Sequence, residues 1–106
     1  MRPIFLRQSA EADIEMALIY YQVEGGIDLM CRFREALGDA EALVRRYPAL
    51  GATRYSQQLN ITGLRTWTLP RFPYSIFYFD TTDGIDVWRV LHTASDIPAW
   101  LRDPAS

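Results

Sequence analysis

The sequence predicts an α+β domain: an N-terminal strand and an antiparallel helical hairpin packed on a mainly antiparallel sheet of about four strands. Three observations predict it. Apolar residues recur at helical spacing on both sides of Gly25-Gly26. Three short strand-like runs follow one another in the C-terminal half, separated by Pro-, Gly- and Asp-containing turns. Helices followed by consecutive strands, rather than strands alternating with helices, is the order of a two-layer fold with the helices gathered on one face.

Ile4-Phe5-Leu6 is a short apolar run that reads as a first strand. Ser9 then stands where a helix N-cap would, with Glu11 and Asp13 in the first turn, where negative charge suits the helix dipole. Ala10, Ile14, Ala17, Leu18 and Tyr21 make one helix face, and Gly25-Gly26 ends it. Asp28 is placed to cap a second helix running to Arg46, with Phe33, Leu37, Ala40 and Val44 as its apolar stripe and Pro48 as its stop. Ala49 to Ile61 has no clean period and reads as a surface loop.

The centre of the chain is Gly63 to Phe79. Leu64 to Leu69 and Ser75 to Phe79 read as two strands joined at Pro70-Arg71-Phe72-Pro73-Tyr74. Alternation sends Phe77 and Phe79 to one face and Ile76 and Tyr78 to the other, so both faces are apolar. Asp83-Gly84 supplies the next turn, and Ile85 to His92 a further strand, with Ile85, Val87, Arg89 and Leu91 on one side and Asp86, Trp88, Val90 and His92 on the other. Asp96-Ile97-Pro98 opens a short helical turn that brings Trp100 and Leu101 back as a lid. Two helices cover one face of such a sheet, and the second, aromatic face is expected to lie exposed as a partner site.

With 106 residues the chain has room for a single domain, 1-106, and one core. One cysteine, Cys31, excludes an internal disulfide and fits a reducing compartment such as the cytoplasm. No stretch approaches the ~20 apolar residues of a membrane span. All 11 basic residues are arginine, so no lysine is available as a base, Schiff-base former or phosphate anchor, and the net charge of −2 gives no general pull toward nucleic acid. No His/Cys cluster suggests a metal, no Gly-rich loop a phosphate, and no cofactor is expected.

Several pieces of the sequence carry a family resemblance. They are Ala12-Asp13-Ile14 with Tyr20-Tyr21, Pro48-Ala49-Leu50-Gly51, Gly63-Leu64-Arg65, Arg71-Phe72-Pro73-Tyr74 with Ile76-Phe77-Tyr78, and Val90-Leu91-His92 with Asp96-Ile97-Pro98. Together, and in this order, the chain resembles the RelE/ParE superfamily of toxins from type II toxin–antitoxin systems, within it the ParE branch. Ser95 departs from the pattern, standing where many relatives have arginine.

The resemblance implies a cytoplasmic toxin that arrests growth, with a cognate antitoxin, ParD-like or other, as partner and DNA gyrase as target, and with no membrane or direct DNA binding. The residues expected to contact partners are Arg65, Trp67, Arg71, Phe72, Tyr74 and Trp100, aromatics and arginine being what protein interfaces enrich. The alternative implied by the RelE branch is a ribosome-dependent mRNA endoribonuclease. There His92 would carry the proton and Arg65, Arg71 or Arg89 would clamp the phosphate, since in-line cleavage needs a base and cations aimed at developing charge.

Overall fold

Backbone hydrogen bonds in the computed structural model, which describes residues 1–104, define β1 (Ile4–Leu6), α1 (Gln8–Arg46), a 3-10 turn (Pro48–Leu50), α2 (Arg54–Leu59), β2 (Leu64–Thr68), β3 (Tyr74–Thr81), β4 (Gly84–His92) and α3 (Ile97–Arg102). α1 is broken at Gly26, whose φ of 77° and ψ of −174° are helical for no residue and are reached most easily by glycine. Tyr21 and Phe33 lie on opposite sides of the break with ring centroids 5.0 Å apart. In a straight helix the same separation in sequence spans about 18 Å, so the two arms fold back on each other. This is the helical hairpin the glycine pair predicts.

The sheet has the order β1-β4-β3-β2. β2, β3 and β4 form an antiparallel meander, and β1 joins β4 in parallel, with Ile4 opposite Ile85 and Leu6 opposite Val87. Ala10, Ala17 and Tyr21 of the first arm and Phe33, Leu37, Ala40 and Val44 of the second pack on Ile76, Tyr78, Ile85, Val87 and Val90. The predicted stripes of both helices are therefore their buried faces.

Four expectations change. Ser9 does not cap α1; Arg7 occupies the cap without a side-chain bond, and the Ser9 hydroxyl donates instead to the Trp88 carbonyl. The stretch read as a loop contains the 3-10 turn and α2, because Tyr55 and Leu59, one helical turn apart, have an apolar sheet face to cover. The alternation of β4 holds through Trp88, which lies on the far face as expected; the register with β3 then shifts between Phe77 and Tyr78, a β-bulge that carries Leu91 to the far face and Val90 to the helical one.

The fourth change concerns the second face, which is not left open. Leu64, Phe77, Trp88 and Leu91 form a second buried cluster with Ile97 and Leu101, and Tyr55, Leu59, Ile61 and Phe79 close its margin. Asp96 accepts a bond from the Ala99 amide to start α3, as its position before Pro98 predicts, and the helix folds over the sheet as the second cluster's lid. Phe77 and Leu64 are left fully buried. The chain's own α2 and α3 thus hide the surface that the hairpin's two-sided apolar pattern assigned to a partner.

Candidate partner groove

What remains open lies on the helical side of the sheet. A groove of about 650 Å³ runs between the second arm of α1 and the β2–β3 connection. Leu29, Ala36, Leu43, Trp67, Pro70 and Phe72 give it an apolar lining, and Arg32, Glu35, Asp39 and Arg71 edge it with both signs of charge. The two prolines of the connection, Pro70 and Pro73, withhold ladder donors, so β2 ends at Thr68, and Pro70-Arg71 faces the second arm of α1 while Phe72 returns to it. The gap between them is the groove.

Of the six residues expected to contact partners, Trp67, Arg71 and Phe72 meet here. Trp67 is half-buried, and its indole N–H has no acceptor, whereas Arg71 is exposed. Phe72 stacks edge-on against Tyr21 and Phe33, with centroids 5.1 and 5.3 Å away, which fixes the groove's end wall to the core. Tyr74 stands behind that wall rather than in the groove, packed against Phe33 and His92. Burial pushes its phenol above the usual tyrosine range.

Arg65 and Trp100 serve elsewhere. The Arg65 guanidinium donates to the carbonyls of Ala49 and Gly51. The Tyr78 hydroxyl joins it, donating to the Pro48 carbonyl at 2.7 Å and accepting from the Gly51 amide at 2.9 Å. A Cβ on residue 51 would lie 2.5 Å from that hydroxyl, so glycine is required by close approach. Pro48-Ala49-Leu50-Gly51 and Gly63-Leu64-Arg65 are thereby joined in space: one turn is stapled by one arginine and one tyrosine. Trp100 is partly exposed on α3, with the Arg89 guanidinium 5.1 Å from its ring centroid.

The residues of the nuclease alternative come from β2, from the β2–β3 connection and from β4. Arg89 is buried and bound in a fork to Asp13, with Nε and Nη2 each 2.7 Å from a carboxylate oxygen, while the Val90 amide donates to the same carboxylate at 3.0 Å. Donating to the Asp13 carboxylate holds the guanidinium charged more firmly than usual. Arg65 is on β2 and Arg89 on β4, with β3 between them. His92 ends β4, and its Nδ1 accepts from the Ala94 amide at 3.0 Å, which leaves Nε2 to carry the proton of the neutral ring. Ser95 closes that turn through its hydroxyl, which donates to the His92 carbonyl.

The Asp13–Arg89 pair escapes a sequence reading because its members lie 76 residues apart and each looks like a surface charge. Glu35 and Asp39 are missed for a related reason. Their spacing marks the exposed side of a helix, and only the folded β2–β3 connection makes that side a groove wall.

No curated protein sequence matches the chain. Among solved structures it is similar to one described as "Chromosomal ParDE TA system from P. aeruginosa", with a TM-score of 0.72 at 23% identity over 87% of this chain and 96% of that one. That likeness establishes the fold. The profile of the family described as "ParE toxin of type II toxin-antitoxin system, parDE" matches residues 4–97, so the chain belongs to the ParE toxin family.

Proposed function

We propose that this chain arrests growth in the cytoplasm by binding DNA gyrase through protein contact alone, and that a cognate antitoxin neutralises it by laying an amphipathic segment in the α1/β2 groove. The observation that carries the reading is the groove: an apolar lining with a rim of Arg32, Glu35, Asp39 and Arg71 suits a peptide that has one greasy side and both charge signs. An antitoxin tail that orders on binding offsets its entropy cost by covering Trp67 and Phe72. A contact mechanism also fits the chemistry present, since Arg65 and Arg89 are bound within the fold.

Induced expression is expected to arrest growth, and the purified chain to inhibit gyrase supercoiling. Co-expression with the neighbouring open reading frame should abolish both effects. Trp67→Ala and Arg71→Glu are expected to weaken antitoxin binding by at least tenfold, or about 1.4 kcal/mol. Folded protein that leaves gyrase untouched, while new mRNA 5′ ends appear at codon positions and vanish in His92→Ala, would replace this reading with the endoribonuclease.

A further inference from the structure

The first arm of α1 is apolar on two sides. Ala10, Ala17 and Tyr21 face the sheet. At about 100° per residue Met16, Ile19, Tyr20 and Val23 fall together on another side of the helix, turned away from the sheet. These four side chains are 73, 54, 52 and 78% exposed, and Ile27 beyond the break is 62% exposed. Isolated exposed aliphatics are ordinary, but a run at i, i+3, i+4 and i+7 is a continuous stripe one helix wide, and Ile27 adds exposed apolar surface at the break. It is convex, and it is distinct from the groove, which is lined by the second arm and the β2–β3 connection.

The border of the stripe is acidic. Glu11 and Glu15 run along one side, Glu24 along the other, and Asp28 follows the break; all are exposed, and none is in an ion pair among the described residues. From Gln8 to Cys31 the sequence holds five acidic residues and no basic one. We propose that this stripe docks an amphipathic helix of a partner polypeptide, an apolar ridge bordered by arginine or lysine.

A helix is the fitting shape, because ridges of side chains on one helix seat between those of another. Tyr20 gives the stripe a fixed anchor, its ring held edge-on against Tyr21 at 5.2 Å. A second copy of this chain is disfavoured, because joining two stripes lays acidic border along acidic border. An anionic lipid surface meets the same repulsion. The proposal goes beyond the gyrase and groove readings and rests on neither.

The test titrates the folded chain with synthetic helical peptides that carry a leucine stripe bordered either by arginine or by glutamate. The arginine-bordered peptide is expected to bind at least tenfold more tightly. Val23→Asp, at an exposed position, should retain the circular dichroism of the parent and weaken that peptide by at least tenfold. Glu15→Arg combined with Glu24→Arg should reverse the preference toward the glutamate-bordered peptide. Equal affinity for both peptides, or indifference to Val23→Asp, overturns the proposal. So does loss of binding in Arg71→Glu alone, which would put the peptide in the groove. Sedimentation showing a dimer that Val23→Asp dissolves, or stripe-dependent binding to phosphatidylserine vesicles, would assign the face to those occupants and overturn it equally.

Discussion

Asp13 and Arg89 tie the first arm of α1 to the bulged end of β4, and replacing Asp13 with alanine tests how much of the fold depends on that tie. Their side chains keep only 13% and 8% exposure, and the carboxylate takes two guanidinium bonds and one backbone amide. Asp13→Ala deprives a buried cation of its carboxylate and the Val90 amide of its acceptor, a loss expected to cost about 3–5 kcal/mol. Against a total stability of about 5–15 kcal/mol this is a large share. At about 4–8 °C per kcal/mol for a chain of this size, the thermal midpoint should fall by more than about 12 °C. The exposed pairs Arg2–Asp80 and Arg7–Asp86 are the controls, each expected to contribute about 0–1 kcal/mol. Urea unfolding at constant m-value measures all three. The double variant Asp13→Leu/Arg89→Met should recover most of the loss, because two apolar groups of similar volume need no partner. Asp13→Ala costing no more than Asp80→Ala would refute the reasoning. So would an Arg89→Met protein of full stability that has lost growth arrest, since that is how a phosphate-clamping arginine behaves.

Three further expectations follow from the same physics. Tyr78→Phe strands the Gly51 amide and should cost about 1–3 kcal/mol; Gly51→Ala crowds the same hydroxyl, so in urea unfolding the two changes together should cost less than their sum. Burial raises the Glu41 carboxyl above its ordinary range, with nearby Arg45 opposing the shift, so its contribution is present below the unfolded carboxyl pKa and lost as pH rises through the folded one. Glu41→Gln should therefore raise the melting temperature at pH 7 and leave it unchanged near pH 4. Burial likewise raises Tyr21, Tyr74 and Tyr78, so replacing any of the three with phenylalanine should remove amplitude from the late part of an alkaline absorbance titration; loss from its early part would contradict the burial.

The parts of the fold legible in the sequence are those written in short-range pattern. Gly25-Gly26 places the break in α1, the stripes of both arms predict which residues are buried, and Asp83-Gly84 marks the turn before β4. α2 was not legible because six residues carry less than two turns of periodicity, and the helix forms on the sheet face that Tyr55 and Leu59 cover. The bulge at Trp88 inverts the second half of β4 without a glycine or proline to announce it. The candidate site divides in the same way. The aromatic and arginine content of the hairpin points to Trp67, Arg71 and Phe72, which line the groove, but composition cannot tell an exposed arginine such as Arg71 from Arg65 and Arg89, whose partners lie on other elements.

The parallel pairing of β1 with β4 has a consequence for synthesis. Residues 4–6 are made before the other three strands of the sheet, yet the strand beside which they lie, Gly84–His92, is made after them all. The helical hairpin can form early from local contacts, whereas the sheet stays unfinished until residues 84–92 are available, and closing so long a stretch of chain is slow. A polypeptide halted before residue 84 should therefore be helical but readily digested by protease, and one halted after residue 104 resistant; equal resistance would show that the sheet closes without its last strand. A domain built this way cannot close its sheet until β4 has been made, however early its helices form.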